Sequence, residues 1–136
     1  MPRYMLDTDT CIHMRARRLR SVAERFAALR PGEAVISAVT YGELRLGAEK
    51  SHAREMALRV LATLIGGLEI QDLTQKVAEE YADIRASLER AGMIIGGNDL
   101  WIAAHARSAG LTLVTNNERE FRRVAGLSVE NWASAP

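Results

Sequence analysis

The stretch Arg3-Tyr4-Met5-Leu6-Asp7-Thr8-Asp9-Thr10 sets the architecture. Its apolar run suits a short buried strand that delivers Asp7 to its C-terminal edge, and Thr8 to Thr10 then open a helix. The same succession recurs along the chain. Residues 21–29 place Val22, Phe26 and Leu29 at helical spacing until Arg30-Pro31-Gly32 stops them, and residues 34–37 read as a second strand. A helix over 38–48 follows, with Ser37 as its N-cap and Glu43 one to two turns in. Residues 52–64 read as a further helix, Gly66-Gly67 as a turn, and 68–72 as a third strand.

Thr74 caps the segment with the clearest periodicity: Val77, Tyr81, Ile84 and Leu88 are spaced four, three and four apart, with Glu79, Glu80, Asp83 and Arg90 among the intervening positions. Beyond Gly92 and Gly96-Gly97, Asp99 begins an alanine-rich helix that ends at Gly110. Residues 111–114 make a fourth strand, Asn116 and Asn117 follow it, 118–124 read as a short helix and 127–129 as a last strand. Strands alternating with helices predict an α/β fold. The expected form is a three-layer α/β/α sandwich around a mainly parallel sheet, because parallel neighbours need crossover connections.

With 136 residues the chain reads as one domain, and roughly 68% of the surface of an unfolded chain this size is buried on folding. Apolar residues at 48% and charged residues at 26% exclude a disordered chain. The uncharged apolar runs, such as 61–68, are too short to span a bilayer, and the N-terminus lacks a signal-peptide layout, so the expected location is cytoplasmic. Cys11 is the single cysteine, which removes intrachain disulfides and paired-cysteine zinc sites. The net charge of +1 says nothing about nucleic acid, but 16 of the 18 basic residues are arginine. Arg15, Arg17, Arg18 and Arg20 fall within six positions, as a phosphate-contacting patch or as a solvated helix end.

The acidic residues suggest chemistry. In open parallel sheets, ligands bind outside the carboxyl ends of the strands. Asp7 ends the first strand, Glu43 follows the second, Asp99 starts a helix after a glycine turn, and Asn117 follows the fourth strand, so all four can reach one end of the sheet. Alone, each carboxylate is as well explained by a cap or a helix dipole. However, Asp7 and Asp99 stand in the apolar contexts Met-Leu-Asp and Asp-Leu-Trp-Ile. Two carboxylates ~4 Å apart repel by ~4 kcal/mol at an effective dielectric of 20, so three would cost on the order of 10 kcal/mol. Protons, arginines or a divalent cation must offset that, and hard oxygen donors favour magnesium or manganese over zinc. Phosphodiester hydrolysis is the natural task of such an ion.

These residues make the sequence resemble the PIN-domain ribonucleases, and more narrowly the VapC toxins of bacterial toxin-antitoxin pairs. The blocks are MLDTDTCI around Asp7, SAVTYGELRLGAEKS around Glu43, NDLWIAAHARSAGLTLVTNNEREF around Asp99 and Asn117, and VAGLSVENW ending at Trp132. The resemblance implies an α/β/α sandwich and a magnesium-dependent endoribonuclease, with manganese as a substitute. It also implies a homodimer and a VapB antitoxin that occupies the groove and supplies the DNA-binding part of an autorepressing complex. The block around Asn117 looks most like the branch that cleaves initiator transfer RNA. Two positions depart from the family pattern. Asn117 stands where an aspartate is common, so a second ion would bind weakly or only with substrate. Asp9 stands where an asparagine is common; it either restores some charge or caps the next helix, and the cap is the reading adopted.

Two alternatives stay open. Asp7-Thr8-Asp9 after an apolar strand resembles the nucleophile and acid of haloacid-dehalogenase phosphatases, although Cys11 and the two lysines, Lys50 and Lys76, fit that pattern poorly. A PIN-like scaffold that binds RNA or a partner without cutting is the other. His13, His52 and His105 read as packing or surface residues, and Trp101 and Trp132 as packing anchors. Ala103 and Ala106 mark a tight helix contact, in the core or at a dimer surface.

Overall fold

A computed structural model describes residues 1–16 and 20–133, the side chains of residues 15 and 16 excepted. Strands β1 (Tyr4–Leu6), β2 (Ala34–Ser37), β3 (Glu69–Gln71), β4 (Thr112–Val114) and β5 (Val129–Glu130) form one parallel sheet in the order β3-β2-β1-β4-β5. Helices α1 (Thr8–Ala16) and α2 (Arg20–Ala27) connect β1 to β2, and α3 (Ala38–Glu49) and α4 (Arg54–Ile65) connect β2 to β3. Helices α5 (Gln75–Ala91) and α6 (Gly97–Ala109) lead to β4, and α7 (Glu118–Phe121) leads to β5.

The side-chain alternation of the strands separates two apolar layers. Tyr4, Leu6, Ala34, Ile36 and Val114 pack on one face with Cys11, Val22, Leu44, Leu61 and Trp132. Met5, Val35 and Leu113 pack on the other with Val77, Ile84, Leu88, Leu100 and Phe121. Helices thus cover both faces, as the alternation of elements requires. Ala103 and Ala106 are fully buried in the second layer, so their tight contact belongs to the core. Among the described residues no helix is long and apolar enough to cross a membrane.

Local chemistry sets the boundaries. The Ser37 hydroxyl accepts the Val39 N–H at 3.1 Å and caps α3, and Thr74 caps α5 by accepting the Val77 N–H at 3.3 Å. Gly92 and Gly110 close α5 and α6 with φ of 67° each, a left-handed backbone that suits glycine. The last strand is the main departure from the sequence-based expectation of 127–129. Leu127 still belongs to the turns that follow α7, through its N–H to the Val124 carbonyl, and the ladder begins where Leu113 N–H meets the Ser128 carbonyl at 2.8 Å. Likewise α7 ends at Phe121 rather than 124, and the bonds of Arg123 and Val124 to the carbonyls three residues back form tighter turns.

The topology decides where a site can form. From β1 the chain builds outward through β2 to β3, then crosses back to pair β4 with the free side of β1. Connections on the two sides of that reversal diverge and open a crevice at the carboxyl ends of β1 and β4.

Candidate active site

Asp7 lies at this reversal, immediately after β1, and is only 5% exposed. Its N–H donates to the Val114 carbonyl at 2.9 Å, which ties it to the end of β4. One carboxylate oxygen accepts the Thr8 N–H at 2.7 Å and the other accepts the Thr115 hydroxyl at 2.8 Å. Burial, helped by the charge of Asp9 and to a smaller extent of Asp99, raises its pKa from 3.8 to about 7 despite those two donors.

Glu43 reaches the same crevice from the second turn of α3, where the Thr8 hydroxyl donates to one of its oxygens at 2.7 Å. Asp99 enters from the first turn of α6, for which Gly96 is the N-cap and Gly97 the first helical residue. Its pKa rises to about 6, first through burial and then through the nearby charges of Glu120, Glu43 and Asp9. Asp7, Thr8, Asp9, Ile12, Glu43, Asp99 and Asn117 line one cleft of about 250 Å³. The three carboxylates expected from the sequence, and Asn117 with them, are therefore brought together.

The structure also adds residues. Glu120 lies within hydrogen-bonding reach of Asp99 and is the largest charge acting on it. The Asn117 amide donates to Glu120 at 2.9 Å, and its backbone N–H donates to the Thr115 hydroxyl at 3.0 Å. Asn117 thus orients a carboxylate from the position expected to hold one, and the acid itself stands three residues later. Thr8 and Thr115 were missed because a hydroxyl in a strand-end sequence carries no distinguishing pattern. Asp9 does not cap α1: the helix begins at Thr8, Asp7 precedes it, and Asp9 sits in the first turn with its side chain on the cleft.

Of the arginine cluster, Arg17, Arg18 and the Arg15 side chain lie outside the described residues, while Arg20 is exposed and paired with Glu24 at 2.8 Å. His52 is exposed, His13 bonds the Asn116 amide beside the cleft, and His105 is buried against Ser37. Trp132 packs edge-on to Tyr4, and Trp101 stacks on Tyr81 at 3.9 Å between ring centroids. Both tryptophans are packing residues, as expected.

The donor set suits a hard divalent cation. The cleft is lined by carboxylate, hydroxyl and amide oxygen without histidine or cysteine. None of the ion pairs among the described residues involves Asp7, Asp9, Glu43 or Asp99. No three His, Cys, Asp or Glu side chains among the described residues already converge on one point that could hold an ion. Magnesium tolerates such an arrangement, since it keeps several waters and binds through one or two carboxylates. Burial first, and neighbouring carboxylates second, raise the pKa values of Asp7 and Asp99, and a cation would favour their charged forms.

A parallel α/β/α sandwich with acidic residues at its topological switch matches the PIN fold. The model of the PIN domain matches residues 4–127. Ribonuclease VapC2 of Haemophilus influenzae is 44% identical over 132 residues, covering 97% of this chain and 99% of that protein. The tRNA(fMet)-specific endonuclease VapC of Shigella flexneri is 44% identical over 133 residues, covering 98% and 100%. The crystal structure of DNA-bound VapBC from Salmonella typhimurium superposes with a TM-score of 0.92 at 43% identity, covering 97% of this chain and 99% of that one. The chain belongs to the PIN-domain family, among the VapC ribonucleases of VapBC toxin-antitoxin systems. Membership removes the dehalogenase-type phosphatase and its Asp7 nucleophile.

Proposed function

We propose that this protein is an endoribonuclease toxin that hydrolyses RNA phosphodiester bonds with magnesium, or manganese in its place, held by Asp7, Glu43 and Asp99. The observation that carries the reading is the imbalance of charge in the cleft. Asp7 is nearly inaccessible and Asp99 half-buried, both are pushed toward neutral pH, and no described cation faces them. A scaffold that merely bound RNA would gain nothing from carboxylates facing a phosphate backbone.

A cation held by Asp7, Glu43 and Asp99 would offset charge on the phosphoryl oxygens and acidify a water. The protein's own side chains do the rest. The Thr8 N–H and the Thr115 hydroxyl fix both oxygens of Asp7, and the Thr8 hydroxyl orients Glu43. Burial and then the charge of Glu120 raise the Asp99 pKa to about 6 in the metal-free cleft, so Asp99 gives up its proton near neutral pH to hold the ion. Asn117 acts by holding Glu120. Arg15, Arg17, Arg18 and Arg20 are the proposed phosphate contacts.

Initiator transfer RNA is the proposed substrate, supported by the specificity in the name of the Shigella flexneri relative. A VapB-type antitoxin is the proposed inhibitor, with promoter DNA reached only through it, supported by the DNA-bound Salmonella typhimurium complex. A cytoplasmic homodimer is the proposed state, in keeping with the family resemblance. The test is incubation of initiator tRNA, elongator tRNAs and total RNA with purified antitoxin-free protein in magnesium, manganese or chelator, together with Asp7→Asn and Asp99→Asn. Metal-dependent cuts in initiator tRNA, lost in both variants, are expected. RNA left intact while the cation binds would leave a binding module.

A further inference from the structure

Glu43 and Asp99 sit on different helices, so any ion they share depends on how α3 is held against α6. The main polar link between these helices lies deep in the molecule. Ser37, the N-cap of α3, is fully buried, and its Oγ stands 2.8 Å from Nδ1 of His105, which is 3% exposed in the third turn of α6. The Ser37 oxygen accepts the Val39 N–H, which leaves its hydroxyl hydrogen available to Nδ1 in the tautomer that carries the ring proton on Nε2. Burial lowers the His105 pKa and keeps the ring neutral, in the state that accepts this bond. An apolar residue would fill the same space, yet a buried hydroxyl and imidazole satisfy each other only at one separation and orientation.

The placement of the pair is informative. Ser37 precedes Glu43 by six residues and His105 follows Asp99 by six. At ~1.5 Å rise per residue, each member stands ~9 Å along its helix from a cleft carboxylate. The bond therefore fixes one point on each rigid rod that carries a carboxylate, and a slip of the helices there moves Glu43 relative to Asp99.

We propose that Ser37 and His105 form a positioning link that sets the separation of Glu43 from Asp99 and, through it, the affinity of the cleft for its divalent cation. This rests on the reading of those two carboxylates as ion-holding groups. Neither Ser37 nor His105 lines the cleft, so the link acts through the helices rather than by contact with ion or RNA.

Manganese binding to the full-length protein, followed by electron paramagnetic resonance of the free ion, tests the link beside thermal melting in chelator. In His105→Asn the amide oxygen takes the place of Nδ1 as an acceptor, whereas His105→Leu fills the space without one. Ser37→Gly removes the hydroxyl and keeps a residue that N-caps tolerate; it carries the test if His105→Leu does not fold. Val22→Ala weakens the core of the opposite layer, away from the link. The expected result is about tenfold weaker manganese binding in His105→Leu and Ser37→Gly, at the low end of what lost supports of metal ligands cost. Affinity close to wild type is expected in His105→Asn and in Val22→Ala, although the latter melts earlier. Wild-type affinity in both His105→Leu and Ser37→Gly would overturn the proposal, as would a loss in Val22→Ala proportionate to its lower melting point. A wild-type protein that binds no manganese would instead overturn the reading of the cleft itself.

Discussion

Asp7→Asn is expected to stabilise the metal-free protein at pH 8 while abolishing its function. Asp7 is 5% exposed and titrates at about 7 in the fold against 3.8 unperturbed. Because the folded value is the higher one, the folded state holds its proton while the unfolded chain has released it. Stability is therefore full below pH ~4, falls as pH rises through 7, and is flat above. The difference between the folded and unfolded values corresponds to ~4 kcal/mol lost on ionisation. Asparagine removes that loss and keeps an oxygen for the Thr8 N–H. It faces the Thr115 hydroxyl with an NH2, however, and that hydroxyl already accepts the Asn117 N–H, so its own hydrogen loses a partner at a cost of ~1–2 kcal/mol. The net gain is ~2 kcal/mol, or a rise of ~6 °C in Tm for a chain of this length. Calorimetry in chelator at pH 8 and pH 5 checks this: the variant should melt higher at pH 8 and at or below wild type at pH 5. Saturating magnesium should reverse the pH 8 order, since ion at a hundred times its Kd stabilises the wild type by ~2.7 kcal/mol. A variant that melts no higher than wild type at pH 8 without metal would show that the Asp7 charge is already compensated, and the argument for a cation would fail.

Magnesium affinity measured by titration calorimetry at pH 5.5, 6.5 and 8 should rise steeply between the first two values and level off above 7, because Asp99 and Asp7 must release protons at about 6 and about 7. Glu120→Gln should move the acidic part of that rise to lower pH, since it removes the largest charge that raises Asp99. Thr115→Val takes away a donor that lowers the Asp7 pKa, so magnesium binding at pH 7 should weaken, by about tenfold for a lost outer-shell partner, with the difference narrowing at pH 9. Arg107 ties α6 to Glu80 and Asp83 of α5 and to the Ala125 carbonyl at 2.9 Å; Arg107→Ala should cost ~1–3 kcal/mol in urea unfolding with metal affinity unchanged.

Much of the fold was legible because local chemistry and periodicity agreed. Ser37 and Thr74 are N-caps where the sequence places them, β2 occupies residues 34–37, and α5 carries Val77, Ile84 and Leu88 on its buried side. Asp7, Glu43 and Asp99 were legible because a parallel sheet leaves one edge at which such groups can meet. What escaped were partnerships across long sequence separations, such as Thr8 with Glu43 and Thr115 with Asp7, which no spacing rule encodes. Glu120 escaped for another reason. In a run of Glu, Arg and Glu at a short helix start, a site residue looks like any solvated charge until the Asn117 amide is seen to hold it. The start of β5 was misjudged because Leu127 is apolar enough for a strand, while the turns after α7 retain it.

The reversal of strand order between β1 and β4 bears on how such a protein is made. Asp7 leaves the ribosome 108 residues ahead of the hydroxyl that orients it. At ~5–20 residues per second, the first carboxylate waits roughly 5–20 s for its partner. Until β4 docks beside β1, the nascent chain holds strands, helices and acidic side chains but no cleft. In this arrangement the site is assembled last, and a chain that ends before Thr115 lacks the strand that completes the cleft and the hydroxyl that orients Asp7.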